Sequence, residues 1–285
     1  MTKINVARSS GFCSGVRRAI DISLELSGKN KKVHILGDIV HNSFVVADLE
    51  KQGIKRITKL GPGKGTTLII RAHGAPKSLF VKARALGYKV VDATCPKVKE
   101  IYRIARRLEK KQKLIIIGDR DHDEVKGIAG QLAGKPVIIG SLKDIDRRKL
   151  FRIKKAAVVT QSTQSAENIS LVMGKLSKII PDLKLYDTTC RITKVKQEEI
   201  KSIALSNDIV FVVGSSTSAN TARLYEIAKR INKNTFRIES SKDLKLPLGD
   251  RPRKIGIMAG ASTPDKITGE IVSQIDSLTR RRRKK

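Results

Sequence analysis

This chain has no tryptophan, and only six phenylalanines and four tyrosines. The aromatic platforms on which single-stranded nucleic-acid binders stack bases therefore have few candidates. Long hydrophobic runs are missing too. No apolar stretch nears the ~18 residues a membrane span requires, and the first five residues lack the apolar core of a secretory signal. A soluble cytoplasmic protein with no membrane segment is the expectation. Cysteine is scarce: three in 285 residues, far apart and odd in number, which argues against a disulfide framework. Acidic side chains are outnumbered, 27 Asp and Glu against 59 Lys and Arg, giving a formal net charge of +32. The excess is scattered, and only residues 280–285 form a pure basic block. Most of it reads as solvated helix face; the block is either a solubilising tail or an attractor of polyanions such as nucleic acid, a phosphorylated substrate or an acidic protein.

What is present starts with 40% apolar residues, enough for one large domain or two to three smaller ones. The three cysteines then share a context. An apolar strand pattern over 89–94 ends in Cys95-Pro96, a near copy over 183–189 ends in Cys190, and a looser one over 4–7 leads into Gly11-Phe12-Cys13. Helical spacing follows each cysteine. A strand-ending glycine lies 24 residues after Cys13 (Gly37), 23 after Cys95 (Gly118) and 24 after Cys190 (Gly214). Four residues beyond those glycines stand His41, His122 and Ser218. A second strand in each round exits into His73, into Ser162 or Thr163, and into Ser262.

Strands alternating with helices imply small parallel sheets, which bind ligands at the carboxyl ends of their strands. The third round stops at a helix over 267–278 with no closing strand, so it is expected to borrow 4–7 from the chain start. The expected fold is α/β, with three similar lobes of small parallel sheet arranged pseudo-threefold around a central iron–sulfur cluster. Lobe 1 is 14–95, lobe 2 is 96–190, lobe 3 is 191–279 plus the N-terminal strand segment 1–13, and 280–285 is a basic tail.

Three single cysteines suit a cubane cluster with three protein-ligated irons and one open iron site. Zinc ranks lower, because structural zinc sites draw on short C-x-x-C knuckles and catalytic ones mix in histidine. His41, His73 and His122 sit at strand exits, whereas His34 lies inside a strand and reads as structural. With Ser218, Asn220 and Ser262 the loop residues make a shell of donors suited to a phosphate or diphosphate. Glu124, two residues after a loop histidine, is the natural proton source. Standing alone it would read equally well as a first-turn glutamate favoured by the helix dipole.

Gly11-Phe12-Cys13-Ser14-Gly15-Val16, His41-Asn42, Arg71-Ala72-His73-Gly74, Asp92-Ala93-Thr94-Cys95-Pro96, His122-x-Glu124-Val125 and Ala261-Ser262-x-Pro264-Asp265 together resemble the 4-hydroxy-3-methylbut-2-enyl diphosphate reductase family (IspH, or LytB), over about residues 4–278. The resemblance implies a 4Fe-4S cluster held by Cys13, Cys95 and Cys190, and a two-electron reductive dehydroxylation. Its products would be isopentenyl and dimethylallyl diphosphates, at the last step of the methylerythritol phosphate route. It further implies that Glu124 and a neighbouring hydroxyl relay protons, that His41, His73, Ser218, Asn220 and Ser262 hold the diphosphate, and that His122 assists both. Ser162 and Thr163 fall where the family carries a Thr-Thr pair near the substrate hydroxyl.

Four positions depart from that pattern. Ser162 replaces a threonine but keeps a hydroxyl, Ala219 stands where a second serine is usual, Asp123 replaces a proline, and Lys196 replaces a frequent arginine. Losing the serine at 219 costs about 1 kcal/mol of diphosphate binding. Two other readings rank below: a three-lobed 4Fe-4S enzyme of the quinolinate synthase type, whose substrates are carboxylates, and a basic nucleic-acid-binding protein. The surface charge also implies an acidic ferredoxin or flavodoxin as electron donor.

Overall fold

The computed structural model describes residues 2–29, 32–246 and 252–281. Residues 30 and 31 of one basic cluster, 247–251 of the proline-containing linker and 282–285 of the basic tail lie outside them.

The chain runs through three rounds of the same order. After β1 (Lys3–Val6), the first round is α1 (Ser14–Lys29), β2 (Val33–Leu36), α2 (Ser43–Lys51), β3 (Ile54–Ile57), β4 (Thr67–Ile70), α3 (Lys77–Ala85) and β5 (Lys89–Asp92). The second is α4 (Pro96–Glu109), β6 (Lys113–Ile117), α5 (Asp123–Ala129), β7 (Val137–Ile139), α6 (Arg147–Leu150), β8 (Lys155–Thr160), α7 (Ala166–Leu176) and β9 (Asp182–Tyr186). The third is α8 (Arg191–Ser206), β10 (Ile209–Val213), α9 (Ala219–Ile231), β11 (Thr235–Ile238), β12 (Lys254–Ala259) and α10 (Asp265–Arg281).

Each round builds a parallel four-stranded sheet, ordered β3-β2-β4-β5, β7-β6-β8-β9 and β11-β10-β12-β1. In the third, β1 takes the place that β5 and β9 hold in the others, pairing Lys3 with Lys254 and Val6 with Ile257. The borrowed strand is therefore present as expected. Central strands are the β-branched runs, such as Ile209–Val213, buried along their whole length. Edge strands such as β5 and β9 hold only exposed and half-buried residues, as an edge should.

Side-chain alternation gives a sheet two cores. Leu114, Ile116, Ala157 and Val159 pack with α4 and α5, while Ile115, Ile117, Ala156 and Val158 pack with α7. In the third sheet Ile209, Phe211, Val213, Ile255 and Ile257 join Ile267, Ile271 and Ile275 of α10, and Val210, Val212 and Met258 join Ile200 and Leu224. The chain divides into two compact units. The first holds the third sheet, with the chain start through Ser14, His41–Val45 and everything from Arg191 onward; the second, Gly15–Val40 and Val46–Cys190, holds the other two sheets.

Three short local elements went unforeseen, α6 among them. Single 3-10 turns follow β7 and β11, at Leu142–Asp144 and Ser241–Asp243. In each, the serine two residues after the strand donates its amide to an aspartate three residues on (Ser141 to Asp144, 2.9 Å; Ser240 to Asp243, 2.9 Å). Among the described residues no helix is long and apolar enough to cross a membrane.

The core assignment has a direct test. Ile271→Ala should lower unfolding free energy by about 2–5 kcal/mol in denaturant titration, because Ile271 is wholly buried under the third sheet. Leu205→Ala, on the exposed face of α8, should change it by less than about 0.5 kcal/mol.

Candidate active site

Every cysteine sits at the start of a helix: Cys13 directly before α1, Cys95 as the cap of α4 with Pro96 in its first turn, and Cys190 directly before α8. The unsatisfied amides and positive dipole end of a helix favour a thiolate there. All three are half-buried and none is disulfide-bonded. Their backbone amides make one repeated bond, each to the carbonyl of a loop residue after the neighbouring central strand: Cys13 to Ala261 (3.1 Å), Cys95 to Ala72 (2.9 Å) and Cys190 to Ser162 (2.9 Å). The residues that follow those carbonyls are Ser262, His73 and Thr163. Thr163 is thus the counterpart of His73 and Ser262, a choice the spacing had left open between Ser162 and Thr163. The approach to two cysteines is fixed by aspartate turns, with Thr94 N donating to Asp92 (3.0 Å) and Thr189 N to Asp187 (2.9 Å). This donor set, three separate thiols at helix starts with no short C-x-x-C knuckle, fits an iron–sulfur cluster better than structural zinc.

In the second unit the centre is Glu124, which is 2% exposed. Its carboxylate accepts from the Ser162 amide at 2.6 Å and the Ser162 hydroxyl at 2.7 Å. Burial pushes its pKa up, outweighing the two Ser162 hydrogen bonds that pull it down. Such a carboxyl keeps its proton to higher pH than an exposed one and has a hydroxyl in line to pass it on. His122 caps α5, its Nδ1 accepting from Glu124 N at 3.1 Å, so the proton of the neutral ring lies on Nε2. The His73 ring meets that of His122 edge-on, with centroids 5.4 Å apart. Gly74 beside His73 has φ +78°, and a Cβ there would run into the Tyr102 hydroxyl, so the histidine turn requires glycine. Asp123 pairs with Arg71 at 2.7 Å, which gives the residue in place of proline a structural partner. Thr163 Oγ1 accepts from the buried Gln161 amide at 3.1 Å.

The first unit holds Cys13, His41, Ser218, Asn220 and Ser262. The Ser262 hydroxyl donates to the His41 carbonyl at 3.3 Å. Ser218 caps α9 by accepting from Thr221 N at 3.4 Å. Asn220, in the first turn of that helix, is 5% exposed, and neither atom of its side-chain amide has a hydrogen-bond partner among the described residues. A buried, unsatisfied amide is costly unless a polar ligand completes it, which fits the anion-binding role expected of this residue. Gly11 has φ +86°, and any Cβ on it would strike Asp265, tying together two of the sequence motifs.

Lys196 was legible only as a replacement for arginine. It is 1% exposed, and its ammonium donates to the carbonyls of Ser9, Gly11 (3.1 Å) and Ala259 (3.2 Å). Burial draws its pKa down to about 8, against the opposing pull of Cys13, Glu199 and Asp265. No periodicity or motif pointed to this residue as part of the site, since a lysine on an amphipathic helix normally faces water.

Comparison with known proteins places these residues in company. The model of the family described as LytB protein matches residues 4–276. The 4-hydroxy-3-methylbut-2-enyl diphosphate reductase of Aquifex aeolicus is 34% identical over 283 residues, covering 98% of this chain and 97% of that protein. Among solved structures, (E)-4-hydroxy-3-methyl-but-2-enyl diphosphate reductase, described as the terminal enzyme of the non-mevalonate pathway, aligns with TM-score 0.71 and 34% identity over 97% of this chain and 100% of that one. The E-1-hydroxy-2-methyl-but-2-enyl-4-diphosphate reductase from Plasmodium falciparum aligns with TM-score 0.88 and 28% identity, over 95% of this chain and 87% of that one.

The buried carboxyl has a pH signature. Because its folded pKa lies above its ordinary value of 4.5, Glu124 favours folding fully only below that value, and the benefit is lost as pH rises through the folded pKa. Glu124→Gln retains the shape and the Ser162 contacts without the ionisation. The variant should therefore melt close to wild type at pH 4 and above it at pH 8, and a gap that does not widen with pH would contradict the assignment.

Proposed function

This chain belongs to the LytB protein family, the 4-hydroxy-3-methylbut-2-enyl diphosphate reductases, and from that premise we propose how its own residues carry the reaction. It is an oxidoreductase of the non-mevalonate route to isoprenoids, acting on an allylic diphosphate. Its cofactor is of the iron–sulfur class. The finer reading is one 4Fe-4S cluster with Cys13, Cys95 and Cys190 as its three ligands and one iron open toward substrate. The three equivalent cysteine positions, each directly before a helix and each pinned through its amide to the neighbouring loop, support it.

The overall change breaks the allylic C–O bond of the substrate, consumes two electrons and two protons, and releases water with isopentenyl or dimethylallyl diphosphate. When bound, the cluster supplies the electrons and Lewis acidity toward the departing oxygen. Glu124 holds the proton that this oxygen needs, and the Ser162 hydroxyl, 2.7 Å from the carboxyl, relays it. The observation that carries this reading is the Glu124–Ser162 pair. A buried acid is bonded to a residue whose own carbonyl accepts the amide of Cys190, so one residue, Ser162, holds both the acid and the assigned ligand. Thr163, oriented by Gln161, lies next to that relay and supplies a second hydroxyl. Diphosphate binding is assigned to His41, His73, Ser218, Asn220 and Ser262, with His122 contributing Nε2–H as donor. Ala219 leaves Asn220 without the usual neighbouring serine, so the amide of Asn220 carries more of that contact.

The setting is the cytoplasm, whose reducing milieu keeps such thiols available. The electron donor is an acidic ferredoxin or flavodoxin attracted by the net charge of +32. Turnover at limiting donor should then fall several-fold as salt rises from about 0.05 to 0.3 M; salt-independent rates would remove this partner class.

Protein prepared without oxygen should contain about four irons and four sulfides per chain, and Ser in place of any one of the three cysteines should lower both. One zinc and no sulfide would overturn the cofactor. Glu124→Gln should keep the cluster and lose turnover by about 10²–10⁴-fold, the usual span for a general acid. Normal turnover in that variant would take Glu124 out of the mechanism.

A further inference from the structure

Residues 8–11 form the arm between β1 and Cys13, and they have no ladder of their own. The β1 pairing with β12 ends after Val6, with Ala7 N adding one bond to Ile257 O (2.8 Å). Four backbone groups of the arm are nonetheless bonded from α8. Glu199 accepts Arg8 N at 2.6 Å and Ser9 N at 2.8 Å, and also takes the Ser9 hydroxyl. One helical turn earlier, Lys196 donates to Ser9 O and to Gly11 O (3.1 Å). Its third donor goes to Ala259 O (3.2 Å), the last residue of β12, two positions before the Ala261 carbonyl that holds the Cys13 amide.

An ammonium has three hydrogens, and here three carbonyls converge on them. The anion of the pair takes the amides of the arm and the cation takes its carbonyls, each side chain matched to the polarity it meets. Ala259 N in turn donates to Ser10 Oγ at 3.0 Å, closing the arm against the strand from the other side.

We propose that Lys196 and Glu199 act as a two-residue clamp that positions the Cys13 arm, and that the fixed positive charge of Lys196 offsets the negative charge of the cluster Cys13 binds. Both are positioning residues. The first half depends only on geometry within one compact unit; the second rests on the iron–sulfur reading above. A buried cation close to a cluster favours its reduced, more negative state and so raises its potential. The lysine does this through a three-carbonyl tripod, whereas an arginine here would bring the same charge on a planar fork.

Two measurements separate the halves. In the full-length apo chain, hydrogen exchange of the Arg8, Ser9 and Cys13 amides should be about tenfold faster in Lys196→Met, while amides in α9 keep their wild-type rates. Glu199→Gln, at a half-buried position, should speed the same amides and provides the test if the methionine variant does not fold. Unchanged rates, or acceleration that includes α9 equally, would overturn the clamp whatever metal the protein holds. In the cluster-loaded enzyme the reduction potential of Lys196→Met should move to more negative values and that of Lys196→Arg should stay at wild type. Equal potentials in all three would overturn the charge role and leave the clamp standing on the exchange data.

Discussion

One hydrogen bond, made three times, organises this molecule: the amide of each cysteine donates to a carbonyl in the loop after the neighbouring central strand. A parallel sheet brings the carboxyl ends of adjacent strands to one edge, and the crossover helices force every loop at that edge to be short. The cysteine bond turns this topological closeness into a fixed geometry, since it ties each cysteine's backbone to the residue just before a polar loop side chain. His73, Thr163 and Ser262 are each held in that way. A change of register in any closing strand would move both members of the pair.

Two buried ionisable groups show how differently the fold treats charge. Glu124 is enclosed and meets Ser162, and burial outweighs those two hydrogen bonds, so the carboxyl keeps its proton to higher pH than an exposed one. Lys196 is equally enclosed but meets three carbonyls, and with its pKa drawn down only to about 8 it keeps its charge at neutral pH. The surface excess of lysine and arginine is a separate matter. Exposed pairs such as Lys29–Glu25 and Lys201–Glu198, within single helices, contribute little to stability. That excess bears on what the protein meets in solution, and the site draws on buried groups instead.

The amino-acid order by itself determined the threefold repeat, the strand and helix sequence, the borrowed first strand and the candidate ligands. It could do so because buried parallel strands need β-branched runs and the polar exits recur at constant distance from each cysteine. Short turns closed by Ser141 with Asp144 and Ser240 with Asp243 carried a signal three residues long, too brief to stand out without knowing the strand ends. Only the tertiary structure decided that Thr163 rather than Ser162 is the counterpart of His73, that Ser162 instead holds Glu124, and that Lys196 points inward to three carbonyls. Those facts depend on where side chains sit after distant segments have packed, Ser9 against Lys196 or Ser162 against Glu124. Hydrogen-bond partners chosen across 187 and 38 residues leave no periodicity in the chain.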